Sequence, residues 1–115
     1  MPIPSEMTAL IERLNQELDR SEQSAIEGLN LARVRLGRFP DNAILIQLFA
    51  YLNNVMLFVE ISRRRIEYSS IILATDTATG EQIQEIGENL ASLLGATLET
   101  KEGVSRVKNR LENWE

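Results

Sequence analysis

A chain of 115 residues, 43% apolar and 25% charged, has the composition of one globular domain and is too short for two ordinary ones. Its net charge of −5 gives the molecule as a whole no positive field for phosphates, which argues against nucleic acid as the default partner. Cysteine and histidine are both missing. Disulfides, thiol nucleophiles, thiolate zinc sites, the commonest general base and the commonest transition-metal ligand are therefore excluded.

The opening Met1-Pro2-Ile3-Pro4-Ser5-Glu6 carries neither the basic region nor the apolar run of a secretory signal. With the lack of cysteine, this sets the expectation of a cytoplasmic protein. Ser5 is placed to cap a helix, and Glu6 puts negative charge in its first turn. Apolar residues then recur in steps of three and four at Met7, Leu10, Ile11, Leu14 and Leu18. The pattern thins through Ser21, Ser24, Ala25 and Gly28 and resumes at Leu29, Ala32 and Leu36. Gly37 and Pro40 supply stop signals, with Arg33, Arg35 and Arg38 near the end. The spacing predicts one helix over about 5–36.

Phe39-Pro40-Asp41-Asn42 reads as a tight connection, with Asp41 or Asn42 as the next cap. A second helix over about 42–73 follows, with Leu45, Leu52, Val59, Ile66 and Leu73 spaced by sevens. Leu48, Val55, Ser62 and Ser69 occupy the companion positions. Its first half is apolar nearly all round, which demands burial nearly all round. Thr75 to Gly80 breaks the pattern, although Ser69 to Thr79 is rich enough in Ile and Thr to be extended instead. Thr79 with Gln82 forms a capping box for a third helix over about 80–114. There Ile83, Leu90, Thr97, Val104 and Leu111 are seven apart, with Ile86, Leu93, Thr100, Val107 and Trp114 on the matching seam.

Short loops force antiparallel neighbours. The expected fold is all-α: one domain over 1–115, an elongated up-down-up three-helix bundle with coiled-coil-like heptad packing, and an oligomer.

Four constellations could carry function. Folding the helices back brings Ser21, Ser24, Asn53, Asn54, Thr97 and Thr100 to one level. This is either a buried polar layer that fixes register or a small-ligand cavity. Arg63-Arg64-Arg65 could bind an anion, but helical rotation fans the three apart. Glu60, Glu67, Glu12, Glu17, Glu85 and Glu88 are expected within reach, making a salt-bridged surface. The bundle topology gathers Arg33, Arg35, Arg38, Arg106, Lys108 and Arg110 at one end. This is a candidate site for a polyanion, or else complements two helix C-terminal dipoles. Finally, Ile46, Ala50, Leu57 and Ile61 fall outside the arc of the second helix that two bundle neighbours can cover.

The run Ala43–Ile61 approaches membrane-spanning length, but Gln47, Asn53, Asn54 and Glu60 interrupt it, so a central buried helix is expected and no membrane. Carboxylate pairs such as Glu81 with Glu85, or Glu85 with Glu88, have no pocket or ligand set beside them. No enzyme and no cofactor are expected. The function expected is a non-enzymatic helical interaction, assembly or regulatory module, with a homo-oligomer, a dimer first, or a protein as partner. The alternative is a regulatory binder of nucleic acid or another polyanion through the basic end.

Overall fold

The computed structural model describes residues 5–114. It contains three helices, α1 (Ser5–Arg38), α2 (Ala43–Leu73) and α3 (Gly80–Glu112), packed as an all-α bundle 57 Å long and 18 by 16 Å across. The ends of the elements follow local chemistry. Asn42 caps α2 by accepting the Leu45 amide at 3.0 Å. Thr79 and Gln82 form the reciprocal capping box that opens α3.

Three expectations at the helix ends need correcting. α1 runs through Gly37 to Arg38, and no described glycine has positive φ, so Gly37 is not a left-handed stop. Pro40 ends the helix instead, because it disfavours helical backbone at Phe39. Ser5 is already helical and so is not the cap; the residues before it lie outside the described residues. α3 closes at Glu112, short of the expected 114, with Asn113 as its cap, while residues 69–73 are helical, as the expected helix over 42–73 requires, and not extended.

The core is built from the expected heptad stripes. Leu45, Leu52, Val59, Ile66 and Leu73 of α2 are buried, as are Leu90, Val104 and Leu111 of α3 and Leu14, Leu18, Ala25, Leu29 and Ala32 of α1. Small residues let the helices close up. A Cβ on Gly28 would lie 2.9 Å from Leu52, and one on Gly87 would lie 2.9 Å from Met7. Gly103 receives the Tyr51 hydroxyl where a side chain would stand.

α1 is the common neighbour. It packs along both other helices, while α2 and α3 touch each other much less. Towards the 74–79 connection these two part to leave a groove of about 210 Å³, lined by Tyr68, Ile72, Ile86, Leu90 and Leu93 with Arg65 at its edge. A side of α2 is consequently left without any neighbour.

The candidate interaction face and its surroundings

Ile46 is 48% exposed, Leu57 53% and Ile61 48%, and Ala50 is also exposed. Successive residues on a helix turn by about 100°, so positions 46, 50, 57 and 61 fall within one narrow stripe. The stripe continues past its expected end: Tyr68 at 67% and Ile71 at 59% exposure extend it to the last turn of α2. Between Ile46 and Ile71 it spans about 38 Å at ~1.5 Å per residue. Its members recur at eleven-residue intervals, as in Ile46, Leu57 and Tyr68, or Ala50 and Ile61. Eleven residues make just over three full turns, so the stripe drifts by only ~20° per repeat along the helix. Phe49 and Met56 on one flank and Tyr51 and Phe58 on the other are half-buried against the bundle.

The expected polar layer is only partly assembled. Ser21 and Thr97 are buried, Ser24 and Thr100 are half-buried, but Asn53 and Asn54 are exposed. The register was sound, since Leu52 lies on Gly28 and Tyr51 on Gly103. The face was wrong: each residue after core-facing Leu52 turns a further 100°, which carries both asparagines outward. α2 supplies buried Ser62 instead, placed at the level of Ser21 by the pairing of Arg63 with Asp19 and Glu22. Thr97 returns its hydroxyl to the Leu93 carbonyl at 2.8 Å. The Ser21 hydroxyl has no hydrogen-bond partner among the described residues.

A carboxylate also sits beside this layer. Glu17 is buried, 2.8 Å from Lys101 and 3.0 Å from Arg20. Lys101 holds its carboxyl below the ordinary range, against the opposing effect of burial. Its place in the sequence, between core residues Leu14, Leu18 and Ser21, was the available signal, because steps of three and four share a face. Farther along, Glu27 pairs with Lys108, which lowers the carboxyl and raises the ammonium. Among the described residues, no three carboxylates gather as a metal cage.

The basic end is largely engaged within the molecule. Arg35 donates to the Leu111 carbonyl at 3.3 Å, Lys108 pairs with Glu27, Arg33 lies over Phe49 and Arg110 over Trp114. Arg38 and Arg106 are exposed. The Arg35 bond is the helix-end complementarity that topology requires. Arg63 and Arg64 do form a salt-bridged surface: Arg64 reaches the expected Glu60 at 2.6 Å, whereas Arg63 reaches Asp19 and Glu22 at 2.6 Å and not Glu67. Glu22 is the main reason that the Arg63 guanidinium is held above its ordinary range.

Comparison with known proteins gives no match to any family model, curated protein or solved structure.

Proposed function

We propose that this chain is a non-enzymatic helical interaction module that assembles with a second copy of itself through the outer face of α2. The observation that carries this reading is the straight stripe of Ile46, Ala50, Leu57 and Ile61, prolonged by Tyr68 and Ile71. Burying a large apolar side chain is worth ~1.5–3 kcal/mol over full exposure, and these are about half exposed, so each forfeits roughly half of that. Scattered exposed apolar residues are ordinary on monomers, whereas a row along one helix, interrupted here by Asn53 and Arg64, supports an association surface.

α2 is also long and apolar enough to cross a membrane. Its Leu45–Leu73 row is buried against the bundle, but only 22% of its apolar stretch is buried, so α2 is not the central helix, buried nearly all round, that its composition predicts: α1 holds that place, and α2 packs by one face. The polyanion alternative is weakened because four of the six basic residues at the bundle end already have partners of their own.

Sedimentation equilibrium at micromolar concentration tests the proposal, with a dimeric mass expected. Leu57→Glu places a charge at the centre of the stripe and should restore the monomer without loss of helicity. A monomeric wild-type mass would remove self-assembly, and retention on heparin at moderate salt would move the weight to the basic end.

A further inference from the structure

Resting on that reading, we infer that the second copy lies antiparallel on α2, with the twofold axis passing between the levels of Asn53 and Asn54. Three features of the stripe lead there.

The first is the distribution of charge. Between Ala43 and Val59 α2 carries no charged residue, while Glu60, Arg63, Arg64, Arg65 and Glu67 crowd the following turns. A parallel, in-register pair would set Arg64 on its own copy within the stripe, where like charges repel. An antiparallel pair centred on 53–54 overlaps the uncharged segments and carries the charged turns to both ends. Arg64, which already holds Glu60 in the protomer, then comes level with Ala43 of the second copy, close to its exposed Asp41. Opposite charges meet at both ends of the overlap by symmetry.

The second is side-chain size. In the antiparallel register each layer pairs positions whose numbers sum to 107: Ile46 with Ile61, Ala50 with Leu57, and Asn53 with Asn54. The one small residue, Ala50, thus faces the large Leu57 at both of its layers, so no layer sets two small residues together. A parallel pair would set Ala50 on Ala50 and Leu57 on Leu57, pinching the helices at one layer and forcing them apart two turns later.

The third is the pair of asparagines. Both are exposed in the protomer and lie midway between Ile46 and Ile61, in the uncharged part of the stripe. Asn53 and Asn54 are about 100° apart and take opposite edges of the stripe, so across an antiparallel contact each meets its own copy beside the axis, and amide donors meet amide acceptors. A slipped alignment leaves them unpaired, which penalises every other register.

The overlap of residues 43–64 is about 33 Å long and one helix wide, ~10 Å. Its footprint is therefore ~330 Å² on each copy; the half-buried flanks widen it towards the ~1,000 Å² in total that a specific contact requires.

The absence of cysteine makes a direct test available. Gln47→Cys and Asn54→Cys each create a lone thiol, one heptad apart on the same exposed edge; neither touches the apolar row, and the mass of each variant before coupling shows whether the dimer survives loss of the Asn54 amide. Each variant is treated with a short bis-maleimide and weighed by sedimentation. In the antiparallel dimer Asn54→Cys couples to itself, because the two copies meet at the axis. Gln47→Cys does not, since its copies stand thirteen levels apart, about 20 Å along the helix. If both couple or neither does in a dimer of intact mass, the antiparallel register is overturned while self-assembly stands. A monomeric mass with no coupling overturns both. Monomers that co-sediment with phosphatidylserine vesicles would assign the stripe to a lipid surface instead.

Discussion

At the scale of single residues, the polar groups held closest to the core are the most exacting. Glu17 lies in the α1·α3 contact with Lys101 beside it, and Lys101 itself is 42% exposed at the side chain. The pair therefore reaches solvent on one side, and its loss should cost less than the ~3–5 kcal/mol of a fully buried pair. For Glu17→Gln we expect ~1–2 kcal/mol at neutral pH, read by urea unfolding. The pH dependence has a definite sign. The folded carboxyl titrates below its ordinary value of 4.5. Its contribution is complete above that value and is lost as pH falls through the lower, folded one. Wild type should therefore lose more stability on acidification than Glu17→Gln does, and equal losses would mean that Lys101 does not hold the carboxylate.

Two glycines make an equally sharp contrast on α3. Nothing lies within 4 Å of a Cβ built on Gly95, so Gly95→Ala should gain about 0.5–1 kcal/mol from helix propensity. On Gly103 the new methyl falls on the Tyr51 hydroxyl, and the aromatic ring must swing away. Gly103→Ala should lose ~0.5–2 kcal/mol, since overpacking outweighs the propensity gain. Thermal melts of the pair should move in opposite directions. A gain at both positions would show that α2 and α3 do not close at Tyr51.

At the scale of elements, the helix boundaries depend on a few capping groups. Asn42 is the residue that turns the chain from the Phe39–Asp41 connection into α2, and its side chain accepts the Leu45 amide. Asn42→Ala should cost ~1 kcal/mol, measured in denaturant, with Asn42→Gly falling between it and wild type. An unchanged midpoint for Asn42→Ala would place the start of α2 under tertiary control alone.

The elements were legible because caps and heptads are local. Thr79 with Gln82, and the row from Leu45 to Leu73, predict in the sequence what the bundle shows. The outward direction of Ile46, Ala50, Leu57 and Ile61 was also legible, by subtraction from that row. Asn53 and Asn54 misled because their level in the bundle is easier to count than their angle. Core-facing Leu52 already implied that both turn away. Three features were less legible because they depend on how closely helices approach. These are the Glu17–Lys101 pair, the Tyr51–Gly103 contact and the groove where α2 and α3 part. Spacing fixes which face a residue occupies, but not which neighbour comes near enough to answer it.

At the scale of the whole molecule, three helices round one corner element leave the bundle lopsided. α1 has a neighbour on two sides, whereas α2 has a buried row and, nearly opposite, the exposed row from Ile46 to Ile71. A second copy packed on that row would share its burial free energy with the folding of each protomer. Folding and association are then linked by mass action, and the melting temperature should rise with protein concentration. A self-contained monomer has no such dependence. Leu57→Glu separates the two contributions, because Leu57 is over half exposed in the protomer and buried only in the proposed dimer. The variant should melt at a lower temperature that no longer changes with concentration, while its far-ultraviolet circular dichroism before melting stays that of three long helices. The decisive measurement is a dilution series of thermal melts on both proteins. A wild-type midpoint that stays fixed over a hundredfold dilution, from a concentration where the mass is dimeric, would mean that the copies meet without sharing stability. A Leu57→Glu protein that still shifts with concentration would place the contact on another face.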